Sequence, residues 1–241
     1  DTTAAFYVGP NGHNRTRQLN FADDFAILAG SHQVKFGGDY RAIFLDENPV
    51  HYIINGRANS IQSLLATGQV SLSVSEYLPS QFLAQSLSLY GQDMWQVTPR
   101  LVLTYGFRWE LSPAPSARGT TTITGWRNVS DPSTISLAPT GSSLWGTRFG
   151  NFAPRFGVAY KLTEKGDFVL RAGAGTFYDL GLGAASNLGY SFPNSANIFT
   201  ASVALPMGNI QPYLPVISTQ APYKGVVSGF DPELRLPRSY E

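Results

Sequence analysis

Charged side chains make up only 14% of this chain, so those that fall into a pattern carry information. Arg41, Arg108, Glu110, Arg155, Arg171 and Asp179 lie at alternate positions of otherwise apolar segments, and Lys35, Asp39 and Lys161 follow the same parity in theirs. Side chains of both signs at that spacing do the chemistry of ion pairing. They satisfy one another on a polar face, or they contact a charged or polar solute. Mutual satisfaction is the leading expectation, because each sign has an opposite nearby; Glu110 and Arg155 fall near the same end of neighbouring segments.

The remaining reactive residue types point to no reaction. His13, His32 and His51 show no metal-ligand spacing and read as solvated loop side chains. "GAGTF" at 173–177 superficially resembles a phosphate loop, but its glycines alternate on a strand face with no helix after them. Small residues facing a packed interior explain them better. Serine is abundant, yet there is no Gly-x-Ser-x-Gly elbow and no plausible His and Asp constellation. Asn14-Arg15-Thr16 and Asn128-Val129-Ser130 fit the glycosylation pattern, which is common by chance, and read as polar loop residues. We therefore expect no catalysis, no cofactor and no metal. A formal net charge of +1 without a long basic run gives no electrostatic footprint for nucleic acid.

The elements that hold the charged set read as strands. "LVLTYGFRWEL" at 101–111 alternates Leu101, Leu103, Tyr105, Phe107 and Trp109 against Thr104, Gly106, Arg108 and Glu110. Five more segments alternate similarly, giving strands over about 16–29, 32–45, 86–97, 151–162 and 168–180. Short turns at Gly30-Ser31, Thr98-Pro99-Arg100 and 163–167 join them in pairs, and long tracts over 46–85, 112–150 and 181–241 follow each pair. A short helical piece fits Ser60 to Thr67. Because successive antiparallel strands reverse direction, every short turn falls at one end of the sheet and every long loop at the other. That segregation is the signature of an outer-membrane barrel.

Composition and length agree. Aromatic residues reach 13%, there are 24 glycines and no cysteine, and no stretch approaches the roughly 18–20 apolar residues of a membrane helix. An 11-residue strand tilted by about 45° spans roughly 25 Å, the height of a barrel's apolar band. A tight turn at Gly30-Ser31 sets Phe36 and Tyr40 opposite in facing to Lys35, Asp39 and Arg41; the five-residue turn at 163–167 puts Phe156, Tyr160 and Phe168 on one side and Arg155, Lys161, Arg171 and Asp179 on the other. The aromatic set, with Tyr105, Phe107 and Trp109, is expected to face lipid and the charged set to face the lumen. Asp23 and Asp93 stay open: a three-residue turn at 98–100 sends Asp93 to the aromatic side, a two-residue turn or bulge sends it inward.

"SLSLYGQDMWQVTPRLVLTYGFRWE" resembles a hairpin of TonB-dependent outer-membrane receptors, and "NFAPRFGVAYKL" with "VLRAGAGTFYD" is similar to the next hairpin in their Oar-like branch, which carries a carboxypeptidase-regulatory-like domain. "HQVKFGGDYR" and "FDPELRLPRSYE" resemble further stretches of that branch. The resemblance implies an all-β, antiparallel transmembrane barrel of about 22 strands, of which this chain, 1–241, supplies about six with their loops. It also implies a bacterial outer-membrane location and uptake of a large solute. The implied partners are outer-membrane lipid, the receptor's own plug domain and, through it, the TonB energy-transducing complex. The plug is not in this sequence, which reads as an internal stretch. Tyr52, Trp126 and Trp145 are the loop candidates for ligand contact. Two other readings remain: a non-transporting adhesin or scaffold barrel, and a soluble β-sandwich binding module whose aromatic faces are buried against a second sheet.

Overall fold

All six segments read from alternation form strands, and the tracts between them hold more. The computed structural model describes residues 4–8, 12–48, 51–179, 188–190, 192–218 and 229–241. The chain begins with β1 (Ala4–Val8), β2 (His13–Ala29), β3 (His32–Asn48) and β4 (Tyr52–Ala58). Helix α1 (Ile61–Thr67) precedes β5 (Gln69–Tyr77), β6 (Ser80–Gln96) and β7 (Leu101–Leu111). The two-residue strands β8 (Ser116–Ala117), β9 (Trp126–Arg127) and β10 (Ser136–Leu137) lie in the next loop. Then come β11 (Phe152–Lys161), β12 (Val169–Tyr178), β13 (Ser195–Ala204) and β14 (Arg238–Tyr240).

The larger sheet runs β14-β12-β11-β7-β6-β3-β2, with β8 added against β6. Every pair on this path is antiparallel. The two end strands do not pair with each other, so the sheet is an open segment of wall. The turns follow from their residues. Gly30 takes φ +60°, where glycine is favoured, and lets His13–Ala29 pair with His32–Asn48 end to end. At the next turn the Thr98 hydroxyl accepts from the N–H of Leu101 at 3.0 Å. Thr163 does the same for Asp167 at 3.2 Å.

The pairing keeps one phase across all six long strands. Arg41 stands opposite Ser86, Ser88 opposite Glu110, Gly106 opposite Arg155 and Ala159 opposite Arg171. One face therefore collects the charged residues. The other collects Phe25 and Phe36, Tyr40 and Leu87, Tyr105 and Phe156. The turn at 98–100 has the three-residue form, with Trp95 opposite Leu103, so Asp93 pairs with Tyr105 on the aromatic face. Asp23 joins that face too, opposite Gly38. Among the described residues no second sheet covers the aromatic side: Phe21 is 67% exposed, Phe107 56% and Phe156 51%. The soluble-sandwich expectation of a buried aromatic face does not hold.

At the end away from the short turns, the long strands overrun the expected limits. β2 and β3 each have 17 residues and β6 starts at Ser80 rather than 86. Here the charged face turns apolar, with Leu45, Phe82 and Ala84, and the 112–150 loop folds onto it through Ile123, Leu144 and Trp145. Leu188, Phe230 and Leu234 complete the cluster.

The tract at 46–85, expected as loop, is mostly ordered structure. It supplies β4, α1 and β5, and with β1 and β13 these make a four-stranded antiparallel sheet, β1-β4-β5-β13. Serine at positions 71, 73 and 75 alternates with Val70, Leu72 and Val74, which are buried under Leu64 of α1 and the 205–214 segment. Helix α1 has the ends its sequence dictates: Ser60 caps the N–H of Ser63 at 3.0 Å and Gly68 closes it at φ +64°. β13 and β14 also correct the expectation of a strandless 181–241 tract. Residues 180–187, 191 and 219–228 of the expected strand end and loop lie outside the described residues. Among the described residues, no helix is long and apolar enough to cross a membrane.

Candidate functional site: a charged sheet face beneath folded loops

The charged face is built from side chains two residues apart on neighbouring strands. Lys35, Asp39 and Arg41 project from β3, Arg108 and Glu110 from β7, Arg155 and Lys161 from β11, and Arg171 from β12, all on one side by register. Asp179 lies one residue beyond β12, where its N–H donates to the Pro237 carbonyl at 2.9 Å.

Satisfaction is local. Glu110, 5% exposed, accepts from the Ser88 hydroxyl on β6 and from Arg108 Nε on its own strand. Asn151 Nδ2 donates to the Glu110 carbonyl at 3.0 Å and so ties the loop exit to this point. The expected Glu110 and Arg155 pairing is corrected: Arg155 sits opposite Gly106, too far down the strand, and its guanidinium stacks 4.4 Å from the Phe177 ring centre. Arg41 stays with Asp39, two residues away, at 3.6 Å. The Tyr90 hydroxyl donates to Asp24 Oδ1 at 2.6 Å, a cross-strand contact that spans β3. Asp24, Tyr90, Gln92, Arg108 and Arg155 together border a recess of about 380 Å³.

Sequence reasoning missed Tyr90, Ser88 and Asn151 as members of this network, whereas the Gly30-Ser31 register already sets Asp24 on the side of Lys35, Asp39 and Arg41. The parity was available for the first two. Once the 98–100 turn is known to hold three residues, Tyr90 falls beside Arg108 and Ser88 beside Glu110.

On the opposite face, Phe36, Tyr40, Tyr105, Phe107, Trp109, Phe156 and Tyr160 share one side by register. Phe168 precedes β12 by one residue and is 66% exposed. Trp109 Nε1 donates to the Phe149 carbonyl at 2.7 Å, at the loop end. At the short-turn end, the solvated-loop reading of His32 is corrected. His32 lies parallel to Trp95, 5.3 Å away, and its Nδ1 is 2.7 Å from Asp93 Oδ2. The Tyr105 hydroxyl donates to the same oxygen at 2.7 Å. A carboxylate on an apolar face is thus partnered twice, three residues from the strand end.

The loop candidates divide. Trp145 is only 7% exposed, packed edge-on at 5.0 Å from Phe230, so it holds the loop core and is not free to meet a ligand. The half-buried Trp126 ring lies 5.8 Å from that of Phe192. Tyr52 belongs to β4, where its hydroxyl reaches Glu76 at 3.4 Å and its ring meets His51 at 4.1 Å. Burial and the neighbouring Glu76 carboxylate push its phenol above the ordinary tyrosine pKa. No group of three or more metal-ligating His, Cys, Asp or Glu occurs among the described residues.

A sheet with one charged and one bare aromatic face, short turns at one end and packed loops at the other, is the wall of a membrane barrel. A family model described as an outer membrane beta barrel domain matches residues 2–241. No curated protein and no solved structure matches the chain.

Proposed function

Because the chain belongs to the outer membrane beta barrel domain family, and so to the bacterial outer membrane, we propose that it forms wall and extracellular loops of a TonB-dependent receptor that takes up a large solute. The observation that carries the orientation is the unbroken register phase from β2 to β12. It leaves Phe21, Phe25, Phe107 and Phe156 bare on one face and gathers Arg41, Arg108, Glu110 and Arg155 on the other. With the aromatic face against lipid, the apolar groups need no protein cover, and the charged face borders the lumen.

The receptor reading itself rests on the resemblance of the 86–110 and 151–179 hairpins to those of TonB-dependent receptors, and on loops that pack inward over the lumenal face. In such a device the loops would take the solute from outside, and a plug domain, driven by the energy-transducing complex, would let it pass. The chain's own contribution is a lumenal wall whose buried carboxylate, Glu110, is already partnered within it by Arg108 and Ser88, which suits a surface that a moving domain leaves without stranding that charge.

A second reading, an adhesin or scaffold barrel, is favoured by one feature. The sheet β1-β4-β5-β13 has its own core and needs no solute to hold its shape. The two readings separate in the spent medium of growing cells. If the protein is an energised receptor, every solute that deletion of its locus leaves unconsumed is also left by cells without the energy-transducing complex. A solute left unconsumed only by the first strain, or none left at all, contradicts it.

A further inference from the structure

Three arginines converge at the loop-side edge of the aromatic face, just where its apolar residues stop. In the last rows of the sheet, Arg17 stands opposite Phe44 and Arg15 opposite Asp46, on the same side as Leu19 and Phe21. Arg118 reaches this side from the strand edge, its N–H donating to the Gln81 carbonyl at 2.8 Å. The Phe44 ring lies between two guanidinium groups, Arg118 at 4.9 Å and Arg17 at 5.9 Å. Asp46 is the single carboxylate among them, 3.0 Å from Arg17 Nη2 and 3.9 Å from Arg118 Nη1.

The cluster has cation to spare. Three guanidinium groups face one carboxylate, Arg15 has no carboxylate partner among the described residues, and the buried Arg118 Nη1 makes no hydrogen bond. Four residues down the strand from the Arg17 row, the aromatic face opens into a groove of about 710 Å³. Phe21, Phe25, Phe36, Tyr40, Leu87 and Leu89 line it, with Asp23 opposite Gly38 and Leu89 packed beside that glycine on its floor. In the intervening row Ala42 lies between Leu19 and Gln85, and Gln85 Nε2 donates to the Tyr40 hydroxyl at 2.6 Å at the near end of the groove.

A cationic head above an apolar trough matches one kind of molecule. We propose that this edge binds a phosphate-bearing lipid of the outer leaflet, its phosphate held by Arg15, Arg17 and Arg118 and an acyl chain lying over Gly38. The proposal rests on the reading that the aromatic face meets lipid. Guanidinium groups pair with phosphate oxygens through several donors at once, and stacking on Phe44 keeps two of them oriented before the lipid arrives. A free phosphate would use the arginines alone, whereas a lipid uses the groove as well.

The test uses the whole protein in dodecyl maltoside, with phosphatidic acid as probe, phosphatidylcholine of the same chains as control, and bound lipid counted by native mass spectrometry. Phosphatidic acid is expected to be retained over phosphatidylcholine. The triple variant Arg15→Gln, Arg17→Gln, Arg118→Gln should lose that preference by about tenfold. Gly38→Leu should weaken retention several-fold with the arginines intact. Unchanged retention by the triple variant, or displacement of the lipid by an equal concentration of inorganic phosphate, would overturn the proposal. Insertion of the wild type into phosphatidylcholine vesicles is scored separately. Failure there refutes the lipid-facing reading, whereas insertion without phosphatidic acid preference refutes only the lipid site.

Discussion

The two sheets of this protein carry the same kind of alternation and use it in opposite ways. In β5, Val70, Leu72 and Val74 lie beneath α1 and the 205–214 segment, with Leu72 only 1% exposed, and the intervening serines look outward. In β7, Tyr105 and Phe107 are bare while Glu110 on the other parity is buried. The small sheet is organised as in water, the large one inside out. Alternation states that a strand has two faces; what the rest of the chain lays over each face decides which one is interior.

Breaking the covered core should have the largest effect, and a local one. Leu72→Ala leaves a cavity beneath α1 and should cost the small sheet about 2–5 kcal/mol. Hydrogen exchange in detergent would show β4, β5 and β13 losing protection while β2 and β3 keep theirs. Equal loss in both sheets would mean that they share one core.

Next in size is a charge on the bare face. Phe107→Arg should destabilise the protein folded in phosphatidylcholine bilayers by about 2–4 kcal/mol, read from denaturant titration, whereas Thr104→Arg on the other parity of the same strand should change little. In a water-exposed sheet the two substitutions would behave alike.

Much of this architecture was readable because hairpin arithmetic is strict. Gly30-Ser31 and the 163–167 turn determine which residues oppose one another, so the facing of Lys35, Phe36, Arg155 and Phe156 followed from turn length alone. What escaped had other causes. The alternation of Val70, Leu72 and Val74 was visible, but it lay in a tract read as loop. In β13 a register shift between Thr200 and Val203 breaks the alternation that would mark a strand. The burial of Trp145 depends on Leu45 and Phe82 arriving from distant strands, and no local pattern reports that. Likewise the His32, Asp93 and Tyr105 contact joins three strands and depended on a turn length that the sequence left open.

The smallest expected effect lies outside both sheets and serves as their control. In the 131–135 turn, the Ser133 hydroxyl, the Ser133 N–H and the Thr134 hydroxyl all donate to the Asp131 carboxylate and hold its pKa below the ordinary aspartate value. A depressed carboxyl pKa contributes stability that is present above the unfolded-state pKa and is lost as pH falls through the folded one. The protection factors of the Thr134 and Ile135 amides, which both donate to the Asp131 carbonyl, should therefore fall on acidification, with Asp131→Asn removing that fall. Both sheets should keep their protection over the same range.

The central claim is that the aromatic parity of the large sheet faces lipid. The chain has no cysteine, so single cysteines can be placed in turn along 101–111 and spin-labelled in reconstituted bilayers. Collision with oxygen, which concentrates in lipid, should peak at 103, 105, 107 and 109. Collision with a water-soluble nickel chelate should be higher at 104, 106 and 108 than at those positions. The reverse pattern, or odd positions shielded from both reagents, would contradict the account.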